Sequence, residues 1–221
     1  LLEGGLDWKP MGFSPSDMSF GKYPGAAEYA GAVFMLLGSL PYIRYVQLVT
    51  GRAGPLLGDP QVRAIVSWLS VAVAIVTVWR TLTSDMEFEP AFRETVFNLS
   101  SILSGTGFFS GSFAEWGSFA LAVAFILGMI GGCSGSSSGA LSVFRVQLAA
   151  RAIAAQISVI NHPDRVVPVR YAGRAVETET ISALMLYVTG YILTIGVVSV
   201  GMTLVGVDTV SALFAIWTSL G

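Results

Sequence analysis

The sequence predicts an all-α integral membrane protein. Of its 221 residues, 53% are hydrophobic and only 12% are charged, whereas a soluble domain of this length carries roughly 25% charged residues. The apolar residues also fall into runs that approach or exceed the roughly 20 residues with which a helix crosses the hydrocarbon core of a bilayer. Glycine-rich, acidic or arginine-containing stretches separate these runs. Several membrane-spanning helices are therefore favoured over a water-soluble core.

Four apolar runs are long enough to span. In chain order they cover residues 28–48, 62–82, 119–157 and 181–205. Pro41 predicts an interruption near the end of the first run, because proline lacks the N–H group that a helix interior needs. Residues 1–24 are too short and too rich in glycine, proline and serine to span, and residues 50–60 and 161–179 are predicted loops.

Two further helix-like runs, residues 91–103 and 208–220, are too short to cross a bilayer. Pro90 suits the first position of the former helix. The glycine turn SGTGF at residues 104–108 follows it and precedes the third spanning run. A short helix, a glycine turn and a spanning helix form the plan of an ion-channel re-entrant loop, in which backbone carbonyl oxygens replace the water shell of a potassium ion.

The distribution of charge predicts which side of the membrane each loop faces. Most arginines, among them Arg44 and Arg145, lie at one set of run ends, which the positive-inside rule assigns to the cytoplasm. Most acidic residues lie at the other ends, beside both glycine turns. Glu94, within the first short helix, is expected to face an outer vestibule or to pair with Arg80 or Arg93, because a charge at membrane depth needs a partner.

The order of features repeats along the chain. The stretch MGFS at residues 11–14 leads through a spanning run to YIRYVQL, and TGFF at residues 106–109 leads through another to VFRVQL. Likewise FNLSSILSG at residues 97–105 parallels LFAIWTSLG at residues 213–221. We therefore predict repeated units of helix, pore helix, filter and helix. They divide the chain into the end of one unit (residues 1–60), a whole unit (61–160) and the front of another (161–221).

A glycine- and serine-rich break interrupts the third spanning run. The stretch GGCSGSSSG at residues 131–139 must unwind the helix, since each glycine costs about 1 kcal/mol relative to alanine. We predict a flexible plug that gates the path below the filter, with a simple interhelical loop as the alternative. A phosphate-binding loop is excluded because no lysine follows and no strand precedes.

Catalysis and a resident metal are not indicated. The single cysteine, Cys133, excludes an internal disulfide, and the single histidine, His162, excludes a multi-histidine metal site. A membrane enzyme using Glu94 and His162 is disfavoured, because the two are predicted on opposite sides of the bilayer. No nucleophile–base pair stands out, so we expect the protein not to be an enzyme.

Three stretches together resemble the TrkH branch of the Trk/Ktr/HKT potassium transporters. They are GTGFFSGSF, GGCSGSSSGALSVFR and HPDRVVPVRYAGRAV, in this order, and MGFSPSDMSFG followed by MLLGSLPYIRYVQL resembles the preceding repeat of the same proteins. The resemblance implies four units around one pore in the cytoplasmic (inner) membrane and no cofactor beyond potassium as the transported ion. It also implies a homodimer in contact with membrane lipid, a cytoplasmic nucleotide-binding partner of the TrkA type, and no nucleic acid.

The resemblance also implies site residues by position. The potassium-binding filter would comprise Pro10, Met11 and Gly12 in unit two and Gly105, Thr106 and Gly107 in unit three. The intramembrane gating loop would comprise Gly131, Gly132, Cys133, Ser134, Gly135, Ser136, Ser137, Ser138 and Gly139. The sequence departs from the family in Lys9-Pro10-Met11, where small or hydroxyl-bearing residues are usual, and in Ser142, where many members have lysine.

Two alternatives to potassium uptake remain open at this point. One is a sodium-permeable relative, and the other is a membrane scaffold whose short helices serve only packing. Carbonyls of Gly105 and Thr106 that converge on an axis shared with Pro10 and Met11 distinguish a pore from a scaffold. Because two of the four filter segments fall outside the sequence, we expect the 221-residue chain alone not to conduct.

Overall fold

The computed structural model describes residues 7–9, 12–14, 20, 25–84, 86–111, 113, 116–161 and 168–220. The described helices are α1 Ala26–Gly38, α2 Tyr42–Val49, α3 Gly54–Leu57, α4 Pro60–Thr83, α5 Phe88–Ser104, α6 Ser118–Ile130, α7 Val143–Asn161, α8 Thr178–Leu204 and α9 Thr209–Leu220. Two small antiparallel hairpins pair β1 Asp7–Lys9 with β2 Gly12–Ser14 and β3 Arg170–Tyr171 with β4 Arg174–Ala175. The predicted helical membrane fold is confirmed.

Helices α4, α7 and α8 are each long and apolar enough to cross a bilayer. Helices α1 and α2 form a fourth candidate span, but their axes differ by 95° at the break between them. Pro41 lies in this break and precedes the first residue of α2, so the predicted interruption is confirmed. At the end of α1 the last carbonyl groups therefore have no N–H donors within their own helix.

Helix α4 begins where the sequence supplies a complete N-terminal signal. The Asp59 side chain accepts a hydrogen bond from the Gln61 backbone N–H at 2.8 Å, and Pro60 occupies the first turn. Proline suits that position because its missing N–H has no intrahelical acceptor there. Asp59 also forms an ion pair with Arg44 of α2 at 2.7 Å. The start of α4 is thereby fixed against the bent first span.

Helix α5 lies at the centre of the packing, between α1, α4 and α6. Its Phe97, Leu99 and Leu103 are fully buried. The sequence suggested that Pro90 is the first residue of this helix. The helix in fact begins at Phe88, so Pro90 is its third residue. The difference is small in energy, because the N–H groups of the whole first turn lack intrahelical acceptors.

The break in the third apolar run is longer than predicted. The sequence favoured a helix resuming at Ala140, but α7 begins at Val143. Ala140 and Ser142 have left-handed backbone angles, with φ of 63° and 69°, which no right-handed helix accommodates. The Leu141 N–H also donates to the Met129 carbonyl at 3.2 Å, which folds the segment back onto the end of α6.

The predicted loop between α7 and α8 contains the β3–β4 hairpin, which packs against α7. The Tyr171 hydroxyl donates to Oε1 of Gln147 at 2.8 Å, and its ring meets Phe144 edge to face. Burial raises the pKa of Tyr171, and the nearby Asp59 carboxylate raises it further, so the hydroxyl stays protonated and able to donate. Nε2 of Gln147 in turn donates to the Pro60 carbonyl at 3.1 Å, which ties the hairpin to the start of α4.

Two apolar clusters organise the described helices. The first joins α4, α5 and α6 through residues such as Ile65, Leu99 and Ala120. The second joins α8 and α9 through Tyr191 and Ile216, and it includes Leu141 from the break between α6 and α7. Helix α9 therefore packs beside α8, much as α5 packs beside α4.

Candidate functional site

The glycine turn that follows α5 begins with a left-handed residue. Gly105 has φ 71° and ψ 17° and ends the helix, and the Thr106 N–H reaches back to the Ser101 carbonyl at 3.0 Å. This is a common way to close a helix, and glycine adopts it without steric cost. Gly107 is also left-handed, with φ 77°. The chain thus turns twice within three residues immediately beyond the short helix.

The residues of this turn are partly accessible to solvent. Gly105 and Thr106 are half-buried, and Gly107 is exposed. Within the part of the chain that the structure describes, no N–H or O–H group donates to the carbonyl oxygens of these three residues. A peptide oxygen that keeps both lone pairs is a suitable ligand for a dehydrated monovalent cation.

The segment beyond the turn is held by side chains. Asn98 of α5 accepts from the Ser110 N–H at 3.0 Å and donates to the Ser110 carbonyl at 2.8 Å. The Ser110 hydroxyl donates to the Glu28 carboxylate of α1. Phe20, which precedes α1 in the chain, also contacts this segment: its N–H donates to the Phe109 carbonyl at 3.1 Å.

Charged residues pair around the first half of α5. Arg80 of α4 is buried, lies 2.8 Å from the Glu94 carboxylate and stacks 3.8 Å above the centre of the Trp116 ring. It also donates to the Ala91 carbonyl at 3.2 Å. Glu94 therefore pairs with one of its two predicted partners. Trp116 is buried beneath this cation.

The glycine- and serine-rich break docks on the bend between α1 and α2. The Cys133 N–H donates to the Ser39 carbonyl at 2.9 Å, and the Ser137 N–H donates to the Gly38 carbonyl at 3.2 Å. In the opposite direction, the Tyr42 N–H donates to the Gly135 carbonyl at 2.9 Å. Each interrupted helix thus satisfies backbone groups that the other leaves open.

The same break also reaches α4 and α5. The Ser134 N–H donates to Oε1 of Gln61 at 2.9 Å. The Ser138 hydroxyl accepts from the Gly132 N–H at 2.8 Å and donates to the Leu103 carbonyl at 3.0 Å. Leu103 lies two residues before Gly105, so the break contacts the chain directly behind the glycine turn.

A cavity of about 200 Å³ lies where these elements meet. Its walls include Gly105 and Gly107 of the turn, Ser138 of the break and Trp217 of α9. A Cβ atom on Gly128 of α6 would lie 1.8 Å from the Trp217 ring, so glycine is required there for α9 to approach. The turn, the break and the last short helix therefore share one space.

Comparison with known proteins now identifies the family. Residues 10–221 match the family model described as TrkH, cation transport protein. The chain belongs to the TrkH family. It is accordingly a multi-pass protein of the cytoplasmic (inner) membrane, from a family of transporters and not of enzymes, as the sequence predicted.

Several relatives show how much of a TrkH-family protein this chain covers. The Trk system potassium uptake protein TrkI of Halomonas elongata is 31% identical over 204 residues, which are 91% of this chain and 41% of that protein. The Trk system potassium uptake protein TrkH of Escherichia coli is 26% identical, over 95% of this chain and 44% of that protein.

A solved structure agrees with these sequence comparisons. The crystal structure of the potassium transporter TrkH from Vibrio parahaemolyticus aligns with a TM-score of 0.88 and 25% identity, over 95% of this chain and 47% of that one. The TrkH-family chain thus spans less than half the length of the relatives it matches.

The structure brings some of the predicted site residues together. Gly105 and Gly107 line one cavity with Ser138 of the predicted gating loop. Gly12 lies in β2, opposite Lys9 of β1. Pro10, Met11 and His162 lie outside the described residues. No described contact joins Gly12 to Gly107, and their relative placement stays a prediction.

Sequence reasoning missed Glu28, Asn98 and Ser110 as parts of the site. The available signal was a carboxylate and an amide within otherwise apolar helical runs, since polar side chains at membrane depth need partners. Arg145 was predicted as an anchor at the cytoplasmic interface. It donates to the Leu141 carbonyl at 3.2 Å and stacks 4.1 Å from the centre of the Tyr187 ring, so it also holds the end of the break.

Proposed function

We propose that this chain forms part of the pore of a potassium uptake subunit of the Trk type. The observation that carries the proposal is the glycine turn after α5, which has two left-handed glycines and carbonyl oxygens that no described donor binds, in a TrkH-family chain. Potassium is the transported substrate, and the chain needs no cofactor for this role. The membrane potential supplies the driving force, about 2.3 kcal/mol per charge per 100 mV.

The filter of this pore comprises the carbonyls of Gly105, Thr106 and Gly107, together with those at residues 10–12 from the preceding unit. Support comes from the short helix α5, which leads directly into residues 105–107, and from the contact between Phe20 and Phe109. That contact brings the chain that follows residues 10–12 to the segment just beyond Gly107. A ring of such carbonyls substitutes for the hydration shell of the ion.

The break at residues 131–139 acts as the gate. This proposal is supported by the hydrogen bonds that hold the break on the α1–α2 bend and behind the glycine turn. Irregular backbone at membrane depth requires either protein cover or a water-filled cavity, and the bent first span supplies the cover. If the break moved away from the bend, its backbone would lose this protein cover and would have to face a water-filled cavity.

The repeated units provide the scaffold for this arrangement. Residues 1–60 close unit two, residues 61–160 form unit three and residues 161–221 begin unit four. The similar pairing of α4 with α5 and of α8 with α9 supports this division. The complete protein is proposed to form a homodimer in the lipid bilayer and to bind a cytoplasmic nucleotide-binding protein of the TrkA type.

The test is cation uptake by the full product of the gene that encodes this sequence, below called the full-length protein. In a bacterial strain without its own potassium uptake systems, it should restore growth at low potassium and rapid uptake of rubidium. Absence of uptake, with the protein present in the membrane, would contradict a transport function. Equal uptake of sodium and rubidium would instead support a sodium-permeable relative.

A further inference from the structure

Glu28 is an unusual residue for the place it occupies. It lies in the first turn of the apolar helix α1 and is only 1% exposed. A buried carboxylate is costly unless it is paired and hydrogen-bonded. Glu28 meets that requirement through the guanidinium of Arg93 in α5, the N–H of Gly25 at 2.9 Å and the hydroxyl of Ser110.

Ser110 receives support on each of its polar groups. Its N–H and carbonyl both bind the Asn98 side chain, and its hydroxyl binds Glu28. Ser110 is itself only 2% exposed and lies three residues beyond Gly107. An amide side chain that engages both backbone groups of a residue acts like a neighbouring strand, and it fixes the direction of the chain at that point.

The two supporting residues belong to different units of the protein. Asn98 comes from α5 and also donates to the Glu94 carbonyl at 2.8 Å, so it relates Ser110 to the short helix of the same unit. Glu28 comes from α1, at the start of the preceding unit's outer helix. Phe20, from the same unit as Glu28, also packs against the later unit. The centre of its ring lies 4.9 Å from that of Phe97 and 5.3 Å from that of Phe108.

We propose that Glu28 is a positioning residue for ion selection, which holds the unit-three filter in register with the preceding unit through Ser110. The inference rests on the proposed function, because it assigns a role in the filter formed by residues 105–107. A coordination site works only when the residues around it keep the ligand atoms within about 0.5 Å of the productive geometry. Glu28 and Asn98 supply that constraint from two sides.

The position of the constraint predicts which property of transport it controls. The filter is attached to α5 at Gly105 and to Ser110 at its other end, so the peptide groups between them are held at both ends. If the second attachment is lost, the carbonyls can adjust to a smaller ion. Discrimination between rubidium and sodium should then fall more than the maximal rate of uptake.

The experiment compares four variants of the full-length protein. Ser110→Ala removes the hydroxyl that binds Glu28, and Ser110→Thr keeps it. Glu28→Gln keeps the shape of the side chain and removes its charge. Glu89→Gln is the matched control, because Glu89 binds the same Arg93 at 3.1 Å but is 63% exposed and does not contact Ser110. Rubidium and sodium uptake are measured with KM and maximal rate determined separately, and the amount of protein in the membrane is quantified.

We expect Ser110→Ala to lower the ratio of rubidium to sodium uptake by about tenfold or more, because it loses a hydrogen bond to a charged group. Glu28→Gln should lower the ratio by a smaller factor, because the amide oxygen still accepts from Ser110 but carries no charge. Ser110→Thr should restore the ratio, and Glu89→Gln should leave it unchanged. If Glu28→Gln does not accumulate in the membrane, the comparison of Ser110→Ala with Ser110→Thr tests the proposed role of Glu28.

The outcomes separate this inference from the function on which it rests. A wild-type protein that transports rubidium, with unchanged selectivity in Ser110→Ala, overturns the role of Glu28 and leaves the proposed function intact. Equal loss of selectivity in Ser110→Ala and Ser110→Thr also overturns it, because the hydroxyl would then not be responsible. A wild-type protein without any cation uptake overturns both.

Discussion

Replacing Gly107 by alanine should reduce rubidium uptake by the full-length protein about tenfold. Gly107 has φ 77°, where an L-residue with a side chain costs about 1–2 kcal/mol. The chain can relieve this strain by rotating the adjacent peptide groups, which would turn carbonyl oxygens away from the ion. The measurement is the initial rate of rubidium uptake, normalised to the amount of protein in the membrane.

Gly190→Ala is the matched control for this variant. Gly190 lies inside α8, and a Cβ atom there would meet nothing within 4 Å. Alanine is favoured over glycine in a helix interior by about 1 kcal/mol, so this variant should accumulate well and transport at the wild-type rate. Wild-type uptake by Gly107→Ala would show that the conformation of this turn does not matter for transport.

Deleting residues 134–137 should raise the rate of rubidium uptake about tenfold. The deletion removes the N–H groups of Ser134 and Ser137 and the carbonyl of Gly135, which bind Gln61 and both sides of the α1–α2 bend. Each such hydrogen bond contributes about 0.5–1.5 kcal/mol, so the remaining break loses much of what holds it in the closed position. Uptake at saturating rubidium reports the change.

Ser137→Ala is the corresponding control. It removes the hydroxyl that donates to the Gly38 carbonyl at 2.9 Å, while the Ser137 N–H continues to donate to the same oxygen. We expect less than about a twofold change in uptake, because one of two bonds to a single acceptor remains. A deletion variant that is present in the membrane and transports no faster than wild type would rule out the break as a gate.

The sequence predicted the helices well where length and apolar content decide the structure. Helices α4 and α8 span nearly the predicted residues, and the interruption at Pro41 was visible because proline cannot donate the hydrogen bond of a helix interior. The end of the break at Val143 was not predictable in the same way. Left-handed angles at Ala140 and Ser142 contradict the local preference of these residues, and contacts with α6 impose them.

In the candidate site, too, some features could be predicted from the sequence and others could not. The glycine turn and the glycine- and serine-rich break could be recognised because few other residues tolerate such backbone angles. Their mutual contacts could not be, since the bond between Ser138 and Leu103 joins residues far apart in the chain. The bond between Glu28 and Ser110 spans an even longer separation. Only packing of α1 against α5 brings that pair together.

The most direct test of the account is to locate a heavy monovalent ion in crystals of the full-length protein. Rubidium or thallium soaked into the crystals can be identified by anomalous scattering. We expect a peak coordinated by the carbonyl oxygens of Gly105 and Thr106, on an axis shared with the carbonyls at residues 10–12. An ion path that avoids these oxygens, or Gly12 and Gly107 on opposite faces of the membrane, would contradict the account.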